Sequence, residues 1–222
     1  MPTILITGAN RGMGLEFARQ YAAAGWRVLG TVRDPMAGRA LSEAGGEVYV
    51  CDVALPDQVA RLKASLAGVE LDVLLLNAGI YGENQEFGAV DPAAFMKVMA
   101  VNALAPLKLA EAFADRMAGR KVIAAVSSKM GAMSDNTSGG SYAYRASKAA
   151  LNMVMKGLAV DLAGRGILTV ALSPGWVRTD MGGPNAPLDA AEAVAGMRKV
   201  VDGLRSEDSG CLIHYDGSRL NW

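Results

Sequence analysis

Short aliphatic runs alternate with helical patterns from one end of this chain to the other, and no other feature constrains its fold as strongly. The runs are Pro2–Thr7, Trp26–Val32, Glu47–Val53, Leu71–Leu76, Lys121–Val126, Ile167–Leu172 and Leu212–Tyr215. A run such as Leu71–Leu76, apolar at nearly every position, buries both of its faces, as a strand inside a parallel sheet does. Between the runs, apolar residues recur at helical spacing, as in Leu15, Phe17, Ala18, Tyr21 and Ala22, closed by Gly25. Further helices are expected over Ala37–Ala44, Pro56–Ala67, Pro92–Met117, the apolar run Ala149–Leu162 and Leu188–Leu204. Strand and helix in alternation imply an α/β fold, a parallel sheet with helices on both faces. Right-handed crossovers then lead to a Rossmann-type doubly wound sheet of about seven strands in the order 3-2-1-4-5-6-7. The 222 residues contain no linker, repeat or low-complexity stretch, so a single domain spanning 1–222 is expected.

Composition removes several classes of function. Lys plus Arg and Asp plus Glu both number 22, so no net charge favours nucleic acid or an anionic membrane surface. The two cysteines, Cys51 and Cys211, lack metal-site spacing, and the single histidine, His214, rules out a multi-histidine metal site. Reduced cysteines and a start that enters a strand without a basic leader point to a cytoplasmic protein. Apolar runs such as Val73–Leu76 are too short to cross a bilayer.

Two stretches carry chemistry. The first is Gly8-Ala9-Asn10-Arg11-Gly12-Met13-Gly14, between the first strand and the first helix. Glycines there let the backbone turn tightly and approach a pyrophosphate, which the helix N-terminus receives with free N–H groups and a positive dipole end. The spacing is not that of the common dinucleotide fingerprint, and it also suits a plain tight turn. Arg33 ends the second strand, where an arginine accommodates a 2′-phosphate and an acid binds a free 2′-hydroxyl. Arg33, with Arg11 as a second cation, favours NADP(H), with NAD(H) as the alternative. Asp52 and Val53 end the third strand, and Asn77-Ala78-Gly79 the fourth, at the carboxyl edge where open α/β sheets bind ligands.

The second stretch is Tyr142-Ala143-Tyr144-Arg145-Ala146-Ser147-Lys148. Tyr144 and Lys148 lie one helical turn apart on one face, and a neighbouring ammonium group makes a phenol easier to ionise. Asn102, in mid-helix near Pro106, is poor helix chemistry unless its side chain or a freed carbonyl is used. Ser127 and Ser128 end the fifth strand and point to opposite faces, so one of them can reach a substrate.

Together these motifs resemble the short-chain dehydrogenase/reductase family over almost the whole chain. The resemblance implies a cofactor loop at Thr7–Gly14, an adenine contact at Asp52 and a catalytic tetrad of Asn102, Ser128, Tyr144 and Lys148. It also implies cofactor contacts from Pro174-Gly175, Val177 and Thr179. The Asn136–Gly140 loop, the Tyr-Arg-Ala-Ser-Lys core and the Tyr215-Asp216-Gly217…Trp222 tail are similar to the branch with C-factor signalling proteins and sniffer-type carbonyl reductases. The expected reaction is hydride transfer between the nicotinamide and a small carbonyl or alcohol substrate. Tyr144 would act as acid/base, Ser128 as oxyanion partner, Lys148 as ribose holder and Asn102 as water relay. The alternative is a dinucleotide-binding signalling or sensor protein. The segment after Pro174-Gly175 is short for a substrate lid. The helix after Tyr144 is apolar nearly all round, so a homodimer or homotetramer is expected to cover its outer face.

Overall fold

The computed structural model describes residues 1–222, and all its strands join one sheet. They are β1 (Thr3–Ile6), β2 (Arg27–Val32), β3 (Glu47–Val50), β4 (Leu71–Leu76), β5 (Met117–Val126), β6 (Leu168–Ser173), β7 (Cys211–His214) and β8 (Arg219–Leu220). The order is β3-β2-β1-β4-β5-β6-β7-β8. Every neighbouring pair from β3 to β7 is parallel, and β8 folds back antiparallel on β7. The expected seven-strand order is therefore present, with a two-residue eighth strand too short to leave a pattern in the sequence.

Side chains alternate across each strand and build two cores. On β4, Leu74 and Leu76 join Ile123, Leu109, Phe113, Leu151 and Met155 on one face. Val73 and Leu75 join Ile4, Ile6, Phe17, Tyr21, Val194 and Met197 on the other. Each large aliphatic side chain fully buried this way contributes about 1.5–3 kcal/mol. The first core is covered by α3 (Pro56–Ser65), α5 (Ala105–Phe113) and α6 (Tyr142–Asp161), the second by α1 (Gly12–Ala23), α2 (Arg39–Glu43) and α7 (Ala190–Asp202).

Boundaries differ from expectation where turn chemistry intervenes. The third strand stops at Val50, so Asp52 and Val53 belong to the turn beyond it, where Asp52 Oδ1 accepts from Ala54 N at 3.0 Å. The helix starting at Pro92 is not simply kinked. It runs as α4 (Pro92–Met99), capped by Asp91, whose carboxylate accepts from Ala94 N at 2.6 Å. A π-turn over Ala100–Leu104 follows, and then α5. Pro106 has no N–H for the Asn102 carbonyl four residues back, and a widened turn absorbs the clash of its ring. By length and mean hydropathy, 1.4, the stretch Pro92–Arg116 is apolar enough to cross a bilayer. That exceeds the short runs read from sequence. Its apolar residues Leu109, Ala110 and Phe113 are buried on the sheet as a core helix.

Candidate active site

The carboxyl ends of β1, β2, β3 and β4 enclose a cavity of about 280 Å³. Gly8, Asn10, Arg11, Gly12, Met13, Gly14, Arg33, Asp52, Val53, Asn77, Ala78, Gly79 and Thr179 all line it. Its floor is the uncapped start of α1. Arg11 holds the cap position without a side-chain cap bond, and the first turn has no acidic residue. Free N–H groups at a helix N-terminus are an anion site. Gly14 permits the close approach: a Cβ there would fall 2.2 Å from the Gly8 carbonyl oxygen. The cavity, its free donors and the exposed Arg33, which makes no ion pair, fit a phosphorylated dinucleotide. Arg11 is engaged differently from expectation, because its guanidinium pairs with Asp180 at 2.6 Å. Asp34 turns its carboxylate away, onto Met36 N at 2.9 Å.

Asn77 ties strand ends together. Its Nδ2 donates to the carbonyls of Thr7 at 2.9 Å and Gly8 at 3.1 Å, so its side chain shapes the turn. Pro174, Gly175 and Val177 do not line the cavity. The Val177 side chain is buried in the core, where its backbone bridges to Leu188, which leaves only its main chain for a ligand. The short segment after Gly175 is held tightly: the Arg178 guanidinium donates to Ala186 O at 2.7 Å and pairs with Asp189.

At one end of the cavity Gly79 lies next to two of the tetrad residues, Asn102 and Lys148, and none of the four lines the cavity itself. A Cβ on Gly79 would lie 3.3 Å from Asn102 Oδ1 and 3.7 Å from Lys148 Nζ. Asn102 is buried in the π-turn, where its Oδ1 accepts from Ile80 N at 2.9 Å and its Nδ2 donates to Ile80 O at 2.8 Å and Ser147 Oγ at 2.9 Å. Lys148 Nζ donates to Val126 O at 2.8 Å and lies 5.6 Å from the Tyr144 ring centroid. Ser128 faces the Tyr144 phenol, and its Oγ accepts from Met130 N at 3.1 Å, leaving its hydrogen free to donate. Ser127 points the other way, into the core, donating to Asn152 Oδ1 at 2.6 Å.

The electrostatics correct one expectation. Lys148 does not bring the phenol toward neutrality in the protein alone. Loss of water raises the Tyr144 pKa to about 12, with the Ser128 hydroxyl pulling against it and Tyr81 adding to it. Burial pushes Lys148 down to about 8. The Lys148 ammonium group, bonded to Val126 O, does not offset the loss of water around the phenol.

Residues 2–188 match the sequence family described as short chain dehydrogenase. The chain belongs to the short-chain dehydrogenase family. Within the family, it is 46% identical over 154 residues to "C-signal" of Myxococcus xanthus, covering 68% of this chain and 93% of that protein. The carbonyl reductase Sniffer of D. melanogaster superposes with a TM-score of 0.92 at 32% identity, over 100% of both chains. A short-chain dehydrogenase/reductase from Burkholderia multivorans with bound NADP superposes at 0.91 and 36% identity, over 100% of this chain and 99% of that one. This short-chain dehydrogenase thus falls in the branch that its Tyr-Arg-Ala-Ser-Lys core suggests.

Several further residues border the site outside the sequence motifs. Thr31, Cys51, Ala54, Ile80, Lys97 and Asp180 also line the cavity. The Tyr81 ring packs tilted against the Tyr144 ring, with centroids 4.8 Å apart. Gln85 reaches the start of α6 from a loop with no periodic pattern.

Proposed function

We propose that this chain is an NADPH-dependent carbonyl reductase acting on small-molecule carbonyl or alcohol substrates. The grouping of Ser128, Tyr144 and Lys148, with Lys148 and Asn102 beside Gly79 at the end of the cavity, carries this reading. Bound NADPH would supply the hydride to the carbonyl carbon. Tyr144 gives its phenolic proton to the oxygen of that carbonyl, completing the alcohol. Ser128 donates a hydrogen bond to the same oxygen as negative charge develops there. Lys148 has two N–H groups beyond the one on Val126 O, enough for ribose hydroxyls and for holding the phenolate that Tyr144 becomes. Asn102, its side chain committed, holds a water through the carbonyl that Pro106 cannot bond, and this water returns a proton by way of Lys148. Asn10, Met13, Asp52, Val53 and Thr179 line the cavity that would hold the cofactor, and Pro174, Gly175 and Val177 would meet its nicotinamide end through the main chain.

NADP(H) is favoured over NAD(H) because Arg33 presents an unpaired charge beside the cavity, and because the Burkholderia multivorans protein binds NADP. The test is consumption of NADPH and NADH against aldehydes, diketones and quinones. NADPH is expected to be used in preference. Arg33→Ala should raise the KM for NADPH by about 10- to 100-fold, the value of one contact between charged groups, and leave that for NADH unchanged. An equal effect on both cofactors would remove Arg33 from the 2′-phosphate.

A second reading is a dinucleotide-binding signalling or sensor protein, favoured by the identity to C-signal. Cofactor binding with no turnover of any carbonyl would support it. In either reading one domain spans 1–222, the free cysteines suit the cytoplasm, and the balanced charge of 22 basic and 22 acidic residues favours neither a nucleic acid nor a membrane as partner. A homodimer or homotetramer is also proposed. On the outer face of α6, Met153 and Val160 are 71% and 68% exposed, and on the neighbouring α4 and π-turn Met96 and Leu104 are 65% and 53% exposed. Burying these side chains drives association of about micromolar affinity or better in a standard-sized interface. Sedimentation at micromolar concentration checks it, and a single monomeric species would exclude it.

A further inference from the structure

The helix that carries Tyr144 and Lys148 has no cap of its own. Ser141 holds its cap position with φ of +50° and makes no side-chain cap bond. Its hydroxyl is instead 2.6 Å from the Tyr81 hydroxyl. The first N–H groups of a helix have no partner within it, and leaving them unpaired is costly. Here they are met from a loop some sixty residues earlier. Gln85 O accepts from Tyr142 N at 3.3 Å, and Gln85 Oε1 accepts from Tyr144 N at 2.7 Å. The side chain is only 5% exposed. Its Nε2 donates to Tyr81 O at 2.6 Å and Gly82 O at 3.3 Å. Two carbonyls on one end and an N–H on the other leave a single orientation for the amide.

We infer that Gln85 is a positioning residue that fixes Tyr144 for proton transfer by capping its helix from the loop that follows Gly79. This rests on Tyr144 being the proton donor. The loop is joined to the reacting centre at three points: Gln85 on the Tyr144 amide, the Tyr81 ring on the Tyr144 ring, and the Tyr81 hydroxyl on Ser141. It leaves β4 through Gly79 and Ile80, whose N–H and C=O are held by Asn102. The phenol is therefore referenced to the cavity wall through Gln85, and not only through its own helix.

Two variants separate positioning from packing. Gln85→Leu keeps the bulk and loses both ends of the amide. Gln85→Glu keeps an oxygen for the Tyr144 N–H, at a helix N-terminus that favours negative charge, but buries a carboxylate. If Gln85 only fills space, Leu is the milder change for kcat as well as for stability. If it positions Tyr144, the order for kcat reverses: Leu lowers kcat by about 10- to 100-fold, as an ångström-scale misplacement does, and Glu recovers part of it. NADPH affinity, read by fluorescence titration, stays at the wild-type value in both. Hydrogen exchange should show the Tyr144 amide unprotected in the Leu variant and protected in the Glu variant. A Leu variant with wild-type kcat, or one whose kcat falls only with NADPH affinity, overturns the inference, as does a Tyr144 amide equally protected in both. A wild-type chain that turns over no carbonyl would defeat the reductase reading alone, and the exchange result would still decide whether Gln85 holds Tyr144.

Discussion

Tyr144→Phe is expected to lower kcat by about 10²- to 10⁴-fold, the usual worth of a positioned proton donor, while NADPH affinity stays unchanged. The substitution removes one oxygen and little else. The ring still packs against Tyr81, the Tyr144 amide still donates to Gln85, and Lys148 keeps its bond to Val126 O. The phenol does not line the cofactor cavity, so binding has no reason to change. With a pKa near 12 the hydroxyl is fully protonated at neutral pH, which suits a donor in the reducing direction. Oxidation asks the opposite of it: the phenolate must form, and the Lys148 charge must then be present, so that direction should be slower at neutral pH. Single-turnover kinetics with pre-bound NADPH isolate the chemical step from binding. A Phe variant retaining more than about a tenth of the wild-type rate would move the donor to another group, since one proton transfer is worth more than that.

Most of the frame was legible because it depends on patterns that local physics enforces. Runs such as Leu71–Leu76 have to be central strands, since a both-faced apolar segment has nowhere else to go, and β4 has the bounds read from the sequence. The glycine loop and the helix start at Pro92 follow from equally local rules. Helix N-termini need caps, and only glycine fits where another backbone lies within about 3 Å. The order of strands follows from the handedness of the crossovers. The short antiparallel β8 escapes this reasoning because two residues carry no period.

The site was legible residue by residue but not in its connections. Asn102 beside Pro106 was readable as a local conflict, and the structure resolves it by widening the turn and locking the Asn102 side chain on Ile80. Proximity of Tyr144 and Lys148 was equally readable from a four-residue spacing. The sign of its electrostatic consequence was not. Spacing says nothing about how much water each group loses, and here desolvation outweighs attraction for both. Gln85 was invisible for a related reason. A cap contributed from a loop across 59 residues of sequence obeys no local rule, and glutamine in a loop is ordinary. The same holds for the exposed ion pair of Arg11 with Asp180, whose partners lie 169 residues apart.

Gly14→Ala should weaken both the fold and NADPH binding. The added Cβ would lie 2.2 Å from the Gly8 carbonyl oxygen and 2.5 Å from Asn77 Nδ2, closer than any tolerated contact. Neither neighbour can swing aside. Gly8 O and Asn77 Nδ2 are bonded to one another at 3.1 Å, and Asn77 is bonded as well to Thr7 O at 2.9 Å. The start of α1 must therefore move off β1, at a cost of about 1–3 kcal/mol of stability for an overpacked site. The same displacement turns the free N–H groups of the first turn away from the cavity. If most of that cost is also felt in binding, NADPH affinity falls by about 10- to 100-fold, at 1.4 kcal/mol for each factor of ten. Fluorescence titration with NADPH and a thermal melt read the two effects separately. A variant that melts early but binds NADPH as well as wild type would mean that the pyrophosphate does not rest on the start of α1. The glycine loop would then be a tight turn joining a strand to a helix, and the cofactor would have to be held chiefly by Arg33, Asp52 and the β4 edge.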